Sequence, residues 1–316
     1  MEQLNITADK LSQYAQYGKP NIPFVYEIPP ELNDAVEVAL ALDQPLLLTG
    51  EPGTGKTTLA EKVAADLHAI SNGAFHKTPY RFNTKSTSVF TDLFYSYDAM
   101  THFYDVNIRK EKNPGISDYI ELNALGSAIV AGMSAQYPDA VPARNLPPAN
   151  APVNSVVLID EIDKASRDFP NDLLYELEHF SFQIKEAGNR FYKKENDARI
   201  LVILTSNNEK DLPEAFLRRC VYFNIRFPDD QLLKTILEKH ALIHLLQNKE
   251  DIVLEYFREL RSICRQKIPS TAELIALCRM IVYRQIDPAD KAAWLPILSV
   301  VVKHQEDLKL VIEKWR

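Results

Sequence analysis

The segment Leu46-Leu-Leu-Thr-Gly50-Glu-Pro-Gly53-Thr-Gly55-Lys56-Thr57-Thr58 constrains the fold more than any other stretch of the chain. It joins an apolar run, Pro45–Thr49, to the helix-like run LAEKVAADLH through a complete GxxxxGK[ST] pattern, the strand–loop–helix context in which that pattern cradles phosphates. Gly53 and Gly55 let the backbone curl so that successive N–H groups face an anion, and the positive end of the following helix adds to the attraction. Gly50, Glu51, Pro52, Gly53, Thr54, Gly55, Lys56, Thr57 and Thr58 therefore form the candidate nucleotide-binding set. Lys56 is placed to reach the β and γ phosphates of ATP. The Thr57 hydroxyl is placed to meet Mg2+, a hard cation that prefers oxygen ligands, and Thr58 supports the helix start.

From about Glu31 to Ile225, short apolar runs alternate with helix-like segments, which predicts an α/β fold with a mostly parallel central sheet covered by helices. The predicted strands are Pro45–Thr49, Tyr80–Asn83, Val156–Asp160, Ile200–Thr205 and Val221–Ile225. VVLID and ILVILT are apolar at successive positions, which marks strands buried on both faces and hence central ones. The run Ala131–Asn154 is rich in proline and small residues and reads as an exposed loop. Phe182–Tyr192, with Gly188 in its middle, reads as a hairpin.

Val156-Val-Leu-Ile-Asp160-Glu161 ends a buried strand on adjacent carboxylates, at the strand end where parallel sheets place their chemistry. With the phosphate loop upstream, Asp160 is the candidate Mg2+ ligand beside Thr57, and Glu161 the candidate base for an attacking water. Asp163 reads as the cap of the following helix and stays outside the catalytic set.

Phe227-Pro-Asp-Asp230 interrupts the alternation, and the remainder is rich in Leu, Ile, Lys and Glu at helical spacing. Two domains are expected, 1–227 and a smaller all-α domain over 228–316. Ser270-Thr-Ala-Glu273 reads as a capping box that starts a helix. The leucines beyond Asp251 read as core rather than as a partner groove. His240 and His244, four apart on a predicted helix, lack a third ligand and are not read as a metal site.

With 36 basic and 43 acidic residues, the net charge of −7 argues against a dominant non-specific hold on nucleic acid and favours protein partners. Three scattered cysteines fit neither a zinc site nor a closed disulfide framework and point to a reducing compartment. The chain starts without a basic and apolar leader and holds no apolar run of roughly 20 residues, so a cytoplasmic protein that does not cross a membrane is expected.

The phosphate loop and acid pair are followed by Leu204-Thr-Ser-Asn207-Asn208 and then Leu212-Pro-Glu-Ala-Phe-Leu-Arg218-Arg219. In this order the chain resembles the AAA+ superfamily of P-loop ATPases. The resemblance implies a five-stranded parallel core followed by a helical lid, and a ring of copies, expected to be a hexamer, that hydrolyses ATP. It makes Asn207 a first sensor beside the γ phosphate, with Asn208 adjacent, and Arg219, with Arg218 beside it, an arginine finger for a neighbouring subunit. The usual second-sensor arginine is missing from Gln266-Lys267-Ile-Pro-Ser270-Thr, where Lys267 is the candidate substitute, although an ammonium lacks the forked geometry of a guanidinium.

Arg81-Phe-Asn-Thr-Lys-Ser-Thr, Asp92-Leu-Phe-Tyr-Ser-Tyr-Asp98, Leu122-Asn-Ala-Leu-Gly126 and Ile159-Asp-Glu-Ile-Asp-Lys-Ala165 are similar, more narrowly, to the MoxR branch. That likeness implies a chaperone-like remodeller or activator of a partner protein, one with a von Willebrand factor A domain among the possibilities. It also implies that segments near 113–131 and 182–192 project from the core. A nucleic-acid-directed motor, suggested by Lys185, Arg190, Lys193 and Lys194, and a slow nucleotide-gated scaffold are the alternatives.

Overall fold

The computed structural model describes residues 26, 28–108, 115–133, 152–207, 210–246 and 248–315. Most of the proline-rich run, 134–151, and Asn208 lie outside the described residues. The chain divides into two compact units, one holding residues 28–50 and 55–225, the other holding loop residues 51–54 and the chain from 226 onward.

The first unit runs α1 (Pro30–Leu42), β1 (Leu46–Gly50), α2 (Lys56–Ile70), β2 (Tyr80–Asn83), β3 (Tyr95–Tyr97), α3 (Ala99–Asn107), β4 (Ile120–Leu122) and α4 (Ala124–Ala131). It continues with β5 (Ser155–Asp160), α5 (Phe169–Asp172), α6 (Leu174–His179), β6 (Ser181–Ile184), β7 (Arg190–Lys193), β8 (Ile200–Ser206), α7 (Glu214–Leu217) and β9 (Val221–Ile225). Five strands form a parallel sheet in the order β2-β5-β8-β1-β9. The expected strands are all present, and the continuously apolar ones are the inner three. β8 is buried at every position and β5 at every position but Asp160, as neighbours on both sides and both faces require.

The register decides which side chains share the carboxyl edge. Ile159 pairs with Leu204 and Asn83 with Asp160, while Leu48 pairs with Thr205. Asp160 and Thr205 therefore emerge side by side, one residue beyond the last β5–β8 pair.

Residues Ala124–Ala131 do not project. All eight residues of α4 are buried, and a Cβ on Gly126 would lie 2.0 Å from the Phe94 carbonyl oxygen. The glycine allows helix and backbone to touch, so this part of the segment expected to project belongs to the core. The hairpin is present as β6 and β7, with Phe182 opposite Tyr192 and positive φ at Gly188 and Asn189. Phe182 anchors it by stacking on Tyr192 and Phe94 at 5.0 and 5.1 Å, whereas Phe191 is exposed.

The second unit contains α8 (Asp230–Lys239), α9 (Glu250–Ile263), α10 (Thr271–Tyr283), a 3-10 run over Lys291–Val300 and α11 (Gln305–Trp315), with no strand among the described residues. The break at 227–230 has a local cause: the Asp229 carboxylate accepts the Leu232 N–H at 2.8 Å and starts α8. The capping box forms as expected, with the Glu273 carboxylate accepting the Ser270 N–H at 2.8 Å. Leu254, Phe257, Leu274, Leu277 and Trp294 fill the core, in agreement with reading the leucines as packing. His240 and His244 do not share a helix: α8 ends at Lys239 with His240 as its C-cap, Ala241 takes φ 54°, and His244 opens a separate 3-10 turn.

Candidate active site

The loop after β1 bends through Gly53 and Gly55 at φ of 77° and 89°, left-handed values that side chains resist. Gly55 directly precedes α2, so the first helical N–H groups face the loop. Thr54 closes the turn by donating its hydroxyl to the Glu51 carbonyl at 2.9 Å. Lys56 donates to the Gly50 carbonyl at 2.8 Å and is only 6% exposed. A cation held so far from water needs such partners, because an unpaired buried charge is costly.

Across the sheet edge, the Thr57 hydroxyl lies 3.1 and 3.0 Å from the two Asp160 carboxylate oxygens. The Thr205 hydroxyl donates to Asp160 Oδ1 at 2.5 Å and accepts the Glu161 N–H at 2.8 Å. Glu161 adopts φ 55° and ψ 51°, a left-handed turn at a residue other than glycine, which ends β5 and redirects the side chain. Its carboxylate accepts the Asn207 amide at 3.2 Å and forms an ion pair with the Lys164 ammonium. Asn207 is held in turn by its backbone N–H, which donates to Asp163 Oδ2 at 3.0 Å.

Asp163 is therefore not a cap for the helices that follow it. It is buried within a 3-10 turn, Ile162–Lys164, and its carboxylate secures the end of β8. Neither α5 nor α6 has a side-chain cap.

Among the described residues no group of three or more His, Cys, Asp or Glu side chains is placed to hold a metal ion. Thr57 and Asp160 nonetheless suit Mg2+, because that ion keeps several waters, takes phosphate oxygens and needs only one or two hard protein oxygens.

A family model described as the ATPase family associated with various cellular activities (AAA) matches residues 46–228, from the first residue of β1 to just beyond β9. The chain belongs to the AAA family. Nucleotide binding and ATPase activity are properties of that family, and no curated protein matches the chain significantly. Within the AAA region, no described helix is long and apolar enough to cross a membrane, nor is any beyond it.

The arginine segment of this AAA chain stands apart from the hydrogen-bonded centre. α7 is pinned by the fully buried Phe216, and the two arginines follow it. Arg218 reaches Glu214 at 3.3 Å, with side chains 80% and 86% exposed. Arg219 is exposed and makes no side-chain hydrogen bond or ion pair among the described residues.

In the other unit, Lys267 lies 3.4 Å from Glu273, on a turn whose amides at Arg265, Gln266 and Lys267 donate to the buried Asp307 carboxylate. Within that same unit Arg261 pairs with loop residue Glu51 at 2.9 Å. Sequence reasoning missed Thr205, Lys164 and Arg261. Thr205 carried a signal, a hydroxyl closing five apolar residues, while the other two are ordinary helix-surface cations until the chain is folded.

Proposed function

We propose that the chain binds Mg-ATP at the β1–α2 loop and hydrolyses it as one subunit of a homo-oligomeric ring. Its task in this reading is MoxR-like, remodelling or activating a partner protein in the cytoplasm, with 1–227 as nucleotide domain and 228–316 as lid. The observation that carries the chemistry is the meeting of Thr57 with Asp160 and of Glu161 with Asn207 on one sheet edge. Loop amides and Lys56 hold the β and γ phosphates. Thr57 and Asp160 would hold Mg2+, which would neutralise phosphate charge. Glu161 takes a proton from water while Asn207 holds the carboxylate in place. The water oxygen then bonds to the γ phosphorus, the bridging bond breaks, and ADP leaves with the electron pair.

The ring reading is supported by Arg219, an exposed guanidinium able to meet charge on a neighbour's transferring phosphoryl. The narrower MoxR reading rests on the quoted motif segments. The test is turnover per subunit across a protein-concentration series, beside mass by light scattering, for wild type and Arg219→Ala. Activity that rises with assembly and is lost in the variant, with ATP still bound, supports the shared site. Activity indifferent to both removes it.

One observation favours a slow nucleotide-gated switch as second reading: Lys164 engages the Glu161 carboxylate and competes with the water for it. Under that reading partner activity survives in Glu161→Gln, while a motor loses it.

A further inference from the structure

We propose that Thr205 is a positioning residue whose single hydroxyl ties the cation-side carboxylate Asp160 to the backbone of the base Glu161, so that removing it disturbs both together. The inference deepens the ATPase reading and rests on it.

Thr205 is 1% exposed and follows Ile200–Leu204, all of them buried apolar residues. A hydroxyl at such a place is costly unless it is fully bonded, and burial alone is served as well by valine. A threonine hydroxyl has one proton to give and lone pairs to receive. Here the proton goes to Asp160 Oδ1 at 2.5 Å, and a lone pair receives the Glu161 N–H at 2.8 Å. Its partners are two consecutive residues with different roles.

The first consequence concerns the cation. Asp160 accepts from two hydroxyls, Thr57 across both carboxylate oxygens and Thr205 at Oδ1. With its proton committed to Asp160, the Thr57 oxygen has lone pairs left for Mg2+, and Thr205 prevents the carboxylate from rotating out of that arrangement. The second concerns the base. Glu161 sits in a left-handed conformation that a glutamate holds only where its surroundings impose it, and the Thr205 oxygen is the acceptor for its N–H. That turn brings the carboxylate to the Asn207 amide. An unbroken series of hydrogen bonds thus runs from Thr57 in the first turn of α2 to the backbone of the base.

The experiment uses the full chain as wild type, Thr205→Val and Thr205→Ser, with Mg2+ titrated against a fluorescent ATP analogue and turnover measured separately. For Thr205→Val the half-saturating Mg2+ concentration should rise about tenfold, and kcat should fall about 10- to 100-fold, the range for groups that orient metal ligands. KM for ATP at saturating Mg2+ should stay within about twofold, since phosphate contacts are untouched. Thr205→Ser should return both readouts to within about threefold of wild type, because it restores the oxygen without the methyl.

A Thr205→Val protein with wild-type Mg2+ dependence and kcat overturns the proposal. So does a Thr205→Ser protein that is as impaired as the valine variant while melting at the wild-type temperature. If the valine variant does not fold, Thr205→Cys, similar in size and a weak donor, must still raise the Mg2+ requirement, and an unchanged requirement overturns the proposal. Absence of turnover in wild type sinks the ATPase reading instead, and the Mg2+ titration of binding still decides Thr205.

Discussion

The carboxyl edge of the sheet and the Arg218–Arg219 segment belong to the same unit, yet they are built in opposite ways. At the edge, Thr57, Asp160, Thr205, Glu161, Asn207 and Asp163 bond to one another, on strands whose apolar residues are buried throughout. Each fully buried leucine or valine there contributes about 1.5–3 kcal/mol, which makes the platform stiff. The arginines stand in solvent after a four-residue helix, and the ion pair of Arg218 with Glu214 is of the exposed kind that contributes little. A group assembled within one chain is preorganised. A group left in solvent acts only when something else approaches it, which is how a site shared between subunits is made.

Several substitutions test this contrast. Arg219→Ala should lower kcat by about 10³-fold with nucleotide binding retained, the lower end for a finger arginine; an effect under about tenfold would mean that the centre is self-sufficient. Glu161→Gln should cost about 10²-fold or more in single-turnover hydrolysis, the usual scale for a general base, again with ATP bound. Mixing these two inactive proteins in equal amounts should recover roughly a quarter of wild-type turnover if they assemble at random. Each active site then needs Glu161 from one subunit and Arg219 from the next across a head-to-tail interface. No recovery in co-assembled rings would place both groups in one chain. Lys164→Met should raise basal turnover about threefold by freeing the Glu161 carboxylate, since a partly exposed ion pair is worth about 0.5–1 kcal/mol; a fall instead would make the lysine part of the catalytic arrangement. Arg218→Ala should change turnover by less than about twofold, because its ion pair is largely in solvent.

Much of this site is legible before folding, and the reason is locality. The phosphate loop is a contiguous backbone device, with glycines at the positions that take positive φ and a lysine and threonine opening the helix. The acid pair is likewise read from a buried strand that ends in charge. Asp163 shows where such reading stops: a carboxylate just ahead of a helix resembles a cap, but the three residues after Glu161 form a 3-10 turn that aims it at the Asn207 N–H. The expected projection near 113–131 failed for its second half because a run such as ALGSAIVA carries no charge, and Gly126 lets it press against the Phe94 backbone. The two histidines parted because a positive φ at Ala241 ends their helix.

By itself, then, the sequence determined the α/β class, the five strands and which of them are inner, and the glycine-rich turn between β1 and α2. These depend on residues adjacent in the chain, through backbone conformation and the periodicity of burial. Tertiary structure alone decided that Thr57, Asp160 and Thr205 share their hydrogen bonds, that Asn207 is the partner of Glu161, and that Arg219 has none among the described residues. Those bonds join positions 45, 46 and 103 residues apart, and the first of them exists because the parallel register of β5 and β8 sets Asp160 beside Thr205. A register is a property of paired strands, and no single strand carries it.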